Sequence, residues 1–217
     1  MTTKLCILDL DGTLLDTLDD IADSMNSVML AKGFPPRNIK WYMDNVGYGA
    51  KNLLEGALPP DHGLGDEAAG ELLDAFKEHY LRHSMDKTKP YEGIPELLKY
   101  LEHAGIKMFV VTNKSHKTSV ELIKTYFGDV GIAAVYGEQP GAPKKPDPSL
   151  AYEILSIAGV SPEEAVVIGD AETDIMFARN ASIFSIGVSW GFRSRDVLEA
   201  CGADVIIDSP GQIMEYL

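Results

Sequence analysis

A doubly wound α/β fold with a parallel, Rossmann-like sheet and an inserted all-helical unit is what this 217-residue sequence predicts. Short β-branched or aliphatic runs recur along the chain, with helical patterns between them. Several of these runs are apolar throughout, as strands covered on both faces of a parallel sheet must be. One long stretch after the first run carries no strand pattern at all. Repeated strand, helix, strand is the pattern of a doubly wound sheet. The boundaries that follow are residues 1–15 and 88–217 for an α/β core, and 16–87 for a helical cap inserted after the first strand.

Leu5–Leu8 is the first strand. From Thr17 to about His83 the pattern is helical. Leu18, Ile21, Ala22, Met25, Val28 and Met29 fall at helical spacing, and Gly33 with Pro35-Pro36 stops that helix. Gly47-Tyr48-Gly49 reads as a glycine turn before the first turn of a helix at Ala50–Leu54. Leu72, Leu73, Phe76 and Tyr80 mark a further amphipathic helix. An insertion here hangs over the C-terminal edge of the sheet, where open α/β sheets bind ligands, and so reads as a lid. Beyond it, Pro95 at a first helical position and Gly105 bracket another helix, followed by a strand at Lys107–Thr112 and one at Ile132–Tyr136. Asp147-Pro148 opens a helix over Ser149–Ala158, and Ser161-Pro162-Glu163-Glu164 is a capping box announcing another helix start. Ala165–Ile168, Ile183–Gly187 and Val205–Ile207 complete the strands.

The chain carries 33 acids against 19 Lys and Arg, a formal charge of −14, with no long basic run. Binding to a nucleic-acid backbone is therefore excluded, and an anionic substrate would need a metal or a local basic pocket. The two cysteines, Cys6 and Cys201, make no disulfide framework and fit a reducing cytoplasm. Cys6, in an apolar run, reads as a small core hydrophobe. The N-terminal apolar run is too short for a signal peptide, and no run approaches the roughly 20 apolar residues of a membrane span. No obligate protein partner is evident.

Chemistry in a parallel sheet collects where strands end. Leu5–Leu8 runs into Asp9-Leu10-Asp11-Gly12-Thr13. A second strand ends in Val111-Thr112-Asn113, Lys144-Lys145-Pro146-Asp147 precedes a helix, and a further strand ends in Gly169-Asp170 with Asp174 four residues on. If a helical turn starts there, Asp170 and Asp174 share a face. Together these form one pocket of several carboxylates, a lysine and a hydroxyl. Acids so gathered repel unless a hard cation sits among them, and Mg²⁺, which takes oxygen ligands and bridges protein to phosphate, suits the set. The lysine, the hydroxyl and the amides near Gly12 and Asn113 fit a tetrahedral oxyanion. A carboxylate attacking phosphorus gives an acyl-phosphate that water can hydrolyse. An acid two residues on can protonate the leaving oxygen and later deprotonate the water.

In these four ordered segments the chain resembles the haloacid dehalogenase superfamily of aspartate-nucleophile phosphotransferases, over essentially its whole length. The helical insertion is similar to that family's small cap. The resemblance implies that Asp9 is the nucleophile and a metal ligand, and that Asp11 is the general acid/base and a ligand through its backbone carbonyl. It implies that Thr112 and Lys145 hold the phosphoryl group, that Asp170 is a direct metal ligand, and that Asp174 acts behind the ligands or steadies Lys145. Lys145 is chosen over Lys144 because the family's lysine directly precedes proline; Lys144 reads as a solvated neighbour. Dehalogenases lack an acid at the position of Asp11, so an oxygen leaving group is expected. Val46-Gly47-Tyr48-Gly49 and Val188-Ser189-Trp190-Gly191-Phe192-Arg193 make the chain look most like the phosphoglycolate phosphatases. The expectation is a Mg²⁺-dependent phosphatase of a small phosphorylated metabolite, 2-phosphoglycolate above others. The alternatives are a β-phosphoglucomutase-type phosphomutase, a pyrophosphatase or nucleotidase, and a non-enzymatic phosphate-binding relative, which would not need both Asp9 and Asp11. Gly47, Tyr48, Gly49 and Lys51 are candidates for substrate specificity, with Lys51 meeting an anionic group beyond the phosphate.

Overall fold

The computed structural model describes residues 3–217. In chain order they form β1 (Leu5–Leu8), β2 (Leu15–Asp16), α1 (Leu18–Ala31), α2 (Ile39–Asn45), α3 (Ala50–Ala57), α4 (Asp66–His83), β3 (Lys89–Pro90) and α5 (Ile94–His103). They continue as β4 (Lys107–Ser115), α6 (His116–Phe127), β5 (Ile132–Glu138), α7 (Ser149–Ala158), β6 (Ala165–Gly169), α8 (Glu172–Asn180), β7 (Phe184–Val188), α9 (Arg195–Ala200) and β8 (Val205–Ile207).

The six segments expected as strands are the six strands of one sheet, ordered β5-β4-β1-β6-β7-β8 with every pair parallel. Side chains alternate between its faces, as the period of two requires. Cys6, Leu8, Val110 and Ile168 face one way and pack with Leu97, Leu101, Leu122 and Phe127 of α5 and α6. Leu5, Ile7, Val111 and Val167 face the other way and pack with Ile154, Leu155 and Phe177 of α7 and α8. The sheet is thus wound on both sides. Burial pushes the Cys6 thiol up to about 12, which fits a core hydrophobe. No helix among the described residues is long and apolar enough to cross a membrane.

Helices α1–α4 bury their apolar faces against one another, with Met25, Met29, Tyr42, Leu54, Phe76 and Tyr80 in one cluster. The chain enters and leaves this unit through β2 and β3, a two-stranded antiparallel pair with Leu15 opposite Pro90 and Asp16 opposite Lys89. Strands of two residues leave no periodicity to read in a sequence. Beside them, Asp20 is buried and its carboxylate accepts from Lys87 N (3.0 Å), Thr88 N (2.9 Å) and Thr88 Oγ1 (2.8 Å).

Two local expectations change. The capping box at Ser161 forms, with Glu164 accepting from Ser161 N at 3.1 Å, yet it caps a single 3₁₀ turn over Pro162–Glu164. The Ala165-Val166-Val167-Ile168 run that follows is claimed by the sheet between β1 and β7, which overrides the local helix signal. The helix after β6 starts at Glu172, so Asp170 lies outside it and does not share a helical face with Asp174.

Asp20→Ala leaves several buried donors without an acceptor, and should lower stability by about 2–4 kcal/mol in urea unfolding. Asp23→Ala, which removes an exposed partner of Lys87, should leave the midpoint nearly unmoved.

Candidate active site

β1 lies between β4 and β6 in register, so the residues following these three strands converge. Asp9 N donates to Ile168 O at 2.9 Å, which carries the β1–β6 pairing one residue past the strand and fixes Asp9 at the sheet edge. The chain then turns at Gly12, whose φ of +81° favours glycine. A Cβ there would lie 2.3 Å from Asp170 Oδ2, so only glycine lets the two segments meet.

Lys145 is the organising cation. Its Nζ donates to Asp9 Oδ1 (2.6 Å), Asp174 Oδ1 (2.6 Å) and Val111 O (2.7 Å), which uses all three ammonium protons. Asp174 Oδ2 accepts from Ala171 N at 3.0 Å, fixing the second half of that carboxylate at the start of α8. Asp170 accepts from Phe192 N through Oδ2 (2.7 Å) and from Thr13 Oγ1 through Oδ1 (3.2 Å). Asp9, Asp170 and Asp174 are all buried, and each offers an oxygen within 4.8 Å of the others.

One ammonium does not balance three buried carboxylates. Burial, then the charge of Asp174, push Asp9 up to about 7 against the opposing pull of Lys145. Burial, then Asp9 and Asp174, hold Asp170 well above the usual carboxylate range. Burial alone would lower Lys145, but Asp174 and Asp9 outweigh it and hold the ammonium protonated. The surplus negative charge must be met by bound protons or by a cation, and this trio could hold a divalent metal ion.

Asp11 stands apart from the trio. Its Oδ1 accepts from Thr17 Oγ1 (2.7 Å) and from Lys114 Nζ (2.7 Å). Lys114 is buried and also donates to Tyr80 OH of α4 at 2.5 Å. Thr112 is buried at the same edge; its Oγ1 accepts from Lys114 N at 3.2 Å, leaving its own hydrogen to donate.

Asn113 is buried beside Thr112. Its side-chain Nδ2 donates to Gly47 O (2.9 Å) and Lys145 O (3.0 Å), while its buried Oδ1 has no partner among the described residues. Gly47 and Gly49 do line the cleft above the carboxylates, together with Leu53, Phe76 and Tyr80. Tyr48 is partly exposed, and its carbonyl accepts from Lys144 Nζ at 3.0 Å. Lys144, its side chain 36 % exposed, is a solvated neighbour of Lys145 that also braces the glycine turn. Lys51 does not line the cleft: it projects outward, 70 % exposed and 3.7 Å from Glu55 one helical turn away.

Lys114, Phe192 and Arg193 carry site contacts that motif reading did not assign. The signal for Lys114 was present, because Thr112 and Lys114 are two apart in one strand and share a face. Arg193 Nε pairs with Glu172 (2.8 Å), and its other nitrogens donate to Val46 O (2.7 Å) and Met43 O, which ties the α2–α3 segment to the core. No local pattern foretells these long-range partners.

The family model for haloacid dehalogenase-like hydrolases matches residues 6–188. A phosphoglycolate phosphatase of Caulobacter vibrioides is 34 % identical, the match covering 93 % of this chain and 85 % of that protein. A phosphoglycolate phosphatase of Mesorhizobium japonicum is 32 % identical, with 92 % and 88 % covered. Among solved structures, a protein of Lactobacillus delbrueckii subsp. bulgaricus superposes with a TM-score of 0.88 at 30 % identity, covering 100 % of this chain and 98 % of that one. A haloacid dehalogenase-like family hydrolase of Streptococcus pneumoniae has the same fold, with a TM-score of 0.86 at 23 % identity and 99 % and 98 % covered.

Gly12→Ala should cost at least about 2 kcal/mol, since a left-handed alanine alone costs about 1–2 kcal/mol and the added methyl meets Asp170. Thermal unfolding against wild type measures this.

Proposed function

The chain belongs to the haloacid dehalogenase-like hydrolases and is a phosphoric monoester hydrolase, and we propose that it releases phosphate from 2-phosphoglycolate through an aspartyl-phosphate on Asp9, with Mg²⁺ as its metal. The observation that carries this reading is the buried Asp9–Lys145–Asp174 bridge beside Asp170, with Asp11 two residues beyond Asp9.

In the first step a carboxylate oxygen of Asp9 attacks phosphorus, and the bond to the ester oxygen breaks. Asp11 gives that oxygen its proton, so that glycolate leaves as an alcohol. In the second step water attacks the same phosphorus and passes a proton back to Asp11. The bond to Asp9 then breaks, which restores its carboxylate and frees inorganic phosphate. As Asp9 turns its oxygen to phosphorus, Lys145 exchanges its bond to that carboxylate for one to a phosphoryl oxygen, the Thr112 hydroxyl donates to another, and Asp174 holds Lys145 in place. The Asp9 and Asp170 carboxylates and the Asp11 carbonyl would hold Mg²⁺, which supplies positive charge against the phosphoryl oxygens. The fit rests on the surplus of buried carboxylates over ammonium groups at this point. Residues 16–87 serve as a cap over the core of 1–15 and 88–217, closing the cleft against bulk water. The work fits a reducing cytoplasm, where two free thiols are at home.

A phosphate-release screen over 2-phosphoglycolate, sugar phosphates, nucleotides and pyrophosphate tests the reading, with 2-phosphoglycolate expected to show the highest kcat/KM. Asp9→Asn should lower turnover by about a thousandfold or more while leaving the fold intact. Mg²⁺ at about 100 times its dissociation constant should add about 2.7 kcal/mol to wild-type stability, read by thermal melting, and add little to Asp170→Ala. Full activity in excess chelator would refute the assignment of Asp9 and Asp170 as metal ligands.

A further inference from the structure

We infer that Lys114 is the group that recognises the substrate's second anionic group, a carboxylate one methylene away from the phosphate ester oxygen, and so selects phosphorylated hydroxy acids over neutral phosphate esters. The inference rests on the phosphatase function proposed above.

A doubly anionic substrate enters a cleft already lined by Asp9, Asp11 and Asp170. Mg²⁺ and Lys145 answer the phosphoryl group. The carboxylate beyond it needs a cation of its own, because an unpaired anion in such a site is strongly repelled. Six cations stand near enough to weigh. Lys145 is taken up by the phosphoryl group and by its ties to Asp174 and Val111 O. Arg193 is spent on Glu172, Met43 O and Val46 O. Lys144 is held at Tyr48 O and Glu138, and Lys51 points outward toward Glu55. Lys77 lines the cleft from an exposed position on α4, at the rim.

Lys114 differs from all of these. It lines the cleft and is buried, its side chain only 5 % exposed. Two of its three protons go to Asp11 Oδ1 and Tyr80 OH, and among the described residues no acceptor takes the third. The Tyr80 ring, with its centroid 4.3 Å from Nζ, covers one side of the ammonium and limits where an anion can approach. Leu53 and Phe76 line the same cleft with apolar surface, and with Lys114 itself buried a charge pair formed at its ammonium is less screened than one at the rim. The partnership with Asp11 also sets distance. A carboxylate that takes the third proton is held beside the acid that serves the ester oxygen, which suits a substrate with a single carbon between the two groups. Lys114 touches substrate in this assignment and, through Asp11, positions the proton donor as well.

The test compares 2-phosphoglycolate with 2-hydroxyethyl phosphate, which has a hydroxymethyl group where the first has its carboxylate. The readout is the ratio of kcat/KM for the two esters in one preparation, so the amount of folded enzyme cancels. Wild type should favour 2-phosphoglycolate by about tenfold or more. Lys114→Met and, as a polar second variant, Lys114→Gln should each bring the ratio down by about tenfold, with the difference mainly in KM for 2-phosphoglycolate. Lys114→Arg should retain part of the preference, and Lys77→Met should keep the wild-type ratio. An unchanged ratio in both neutral Lys114 variants, or a collapsed ratio in Lys77→Met, overturns the inference. A wild type that hydrolyses both esters equally well overturns it too, while the phosphatase function stands. A wild type that hydrolyses neither ester overturns the proposed substrate and the inference with it.

Discussion

The Lys145 ammonium lies 2.6 Å from Asp9 and 2.6 Å from Asp174, and 2.7 Å from the Val111 carbonyl. Through it the end of β1, the first turn of α8 and the interior of β4 are held at one point. A lysine so buried keeps its proton only because two carboxylates face it, and those carboxylates tolerate burial only because the lysine is there. The packing around this bridge leaves no slack. A Cβ at Gly169 would fall 2.2 Å from Asp174 Cγ, and one at Gly191 would fall 2.3 Å from Asp170 Cβ. Small residues surround the acids because the acids occupy the space that side chains would otherwise need. The bridge also leaves Asp170 without a cation of its own, and this imbalance gives the site its appetite for positive charge.

Contacts between the helical unit and the sheet start from core residues that flank the reactive positions. Asn113, next to Thr112, holds Gly47 O; Lys114, bonded to Asp11, holds Tyr80. Phe192 gives its backbone N–H to Asp170 and its ring to the apolar cluster of the helices. A displacement of α1–α4 relative to the sheet is therefore felt at Asp11 and Asp170 through one intervening residue. Coupling of this kind needs no long relay, because the polar contacts at the mouth of the cleft are themselves the joint.

All six sheet strands were legible in the sequence, because each is a short run rich in aliphatic and β-branched residues, and several are apolar throughout, as strands covered on both faces must be. The cluster of buried charges was legible for a related reason. Asp9 and Asp170 sit where those runs break, Lys145 stands in the loop before α7, and charges gathered at a sheet edge are costly to bury. What escaped was set by partners distant in sequence. The Ser161 capping box formed but yielded to the sheet, and β2 and β3 were too short to leave a period. For Lys51 the local pattern fitted a ligand-facing lysine and a solvent-facing one equally well; α3 lies with that side chain outward, because a helix's rotation about its axis is decided by packing. The side-chain partners of Asn113 were not legible either, since they are carbonyls supplied by Gly47 and Lys145.

The antiparallel pairing of β2 with β3 places the two ends of the helical unit side by side, Leu15 against Pro90 and Asp16 against Lys89. Some seventy residues thus depart from the sheet and return to it through a single doorway. A segment of different length or architecture can be spliced at that doorway without adding a crossing to the sheet or moving a strand. Any such segment would still have to replace what the helices now give the core: an apolar socket for the Phe192 ring, an acceptor for Asn113, and partners for Lys114 and Arg193. Diversification of this scaffold is therefore open at the doorway and constrained at residues 113, 114, 192 and 193.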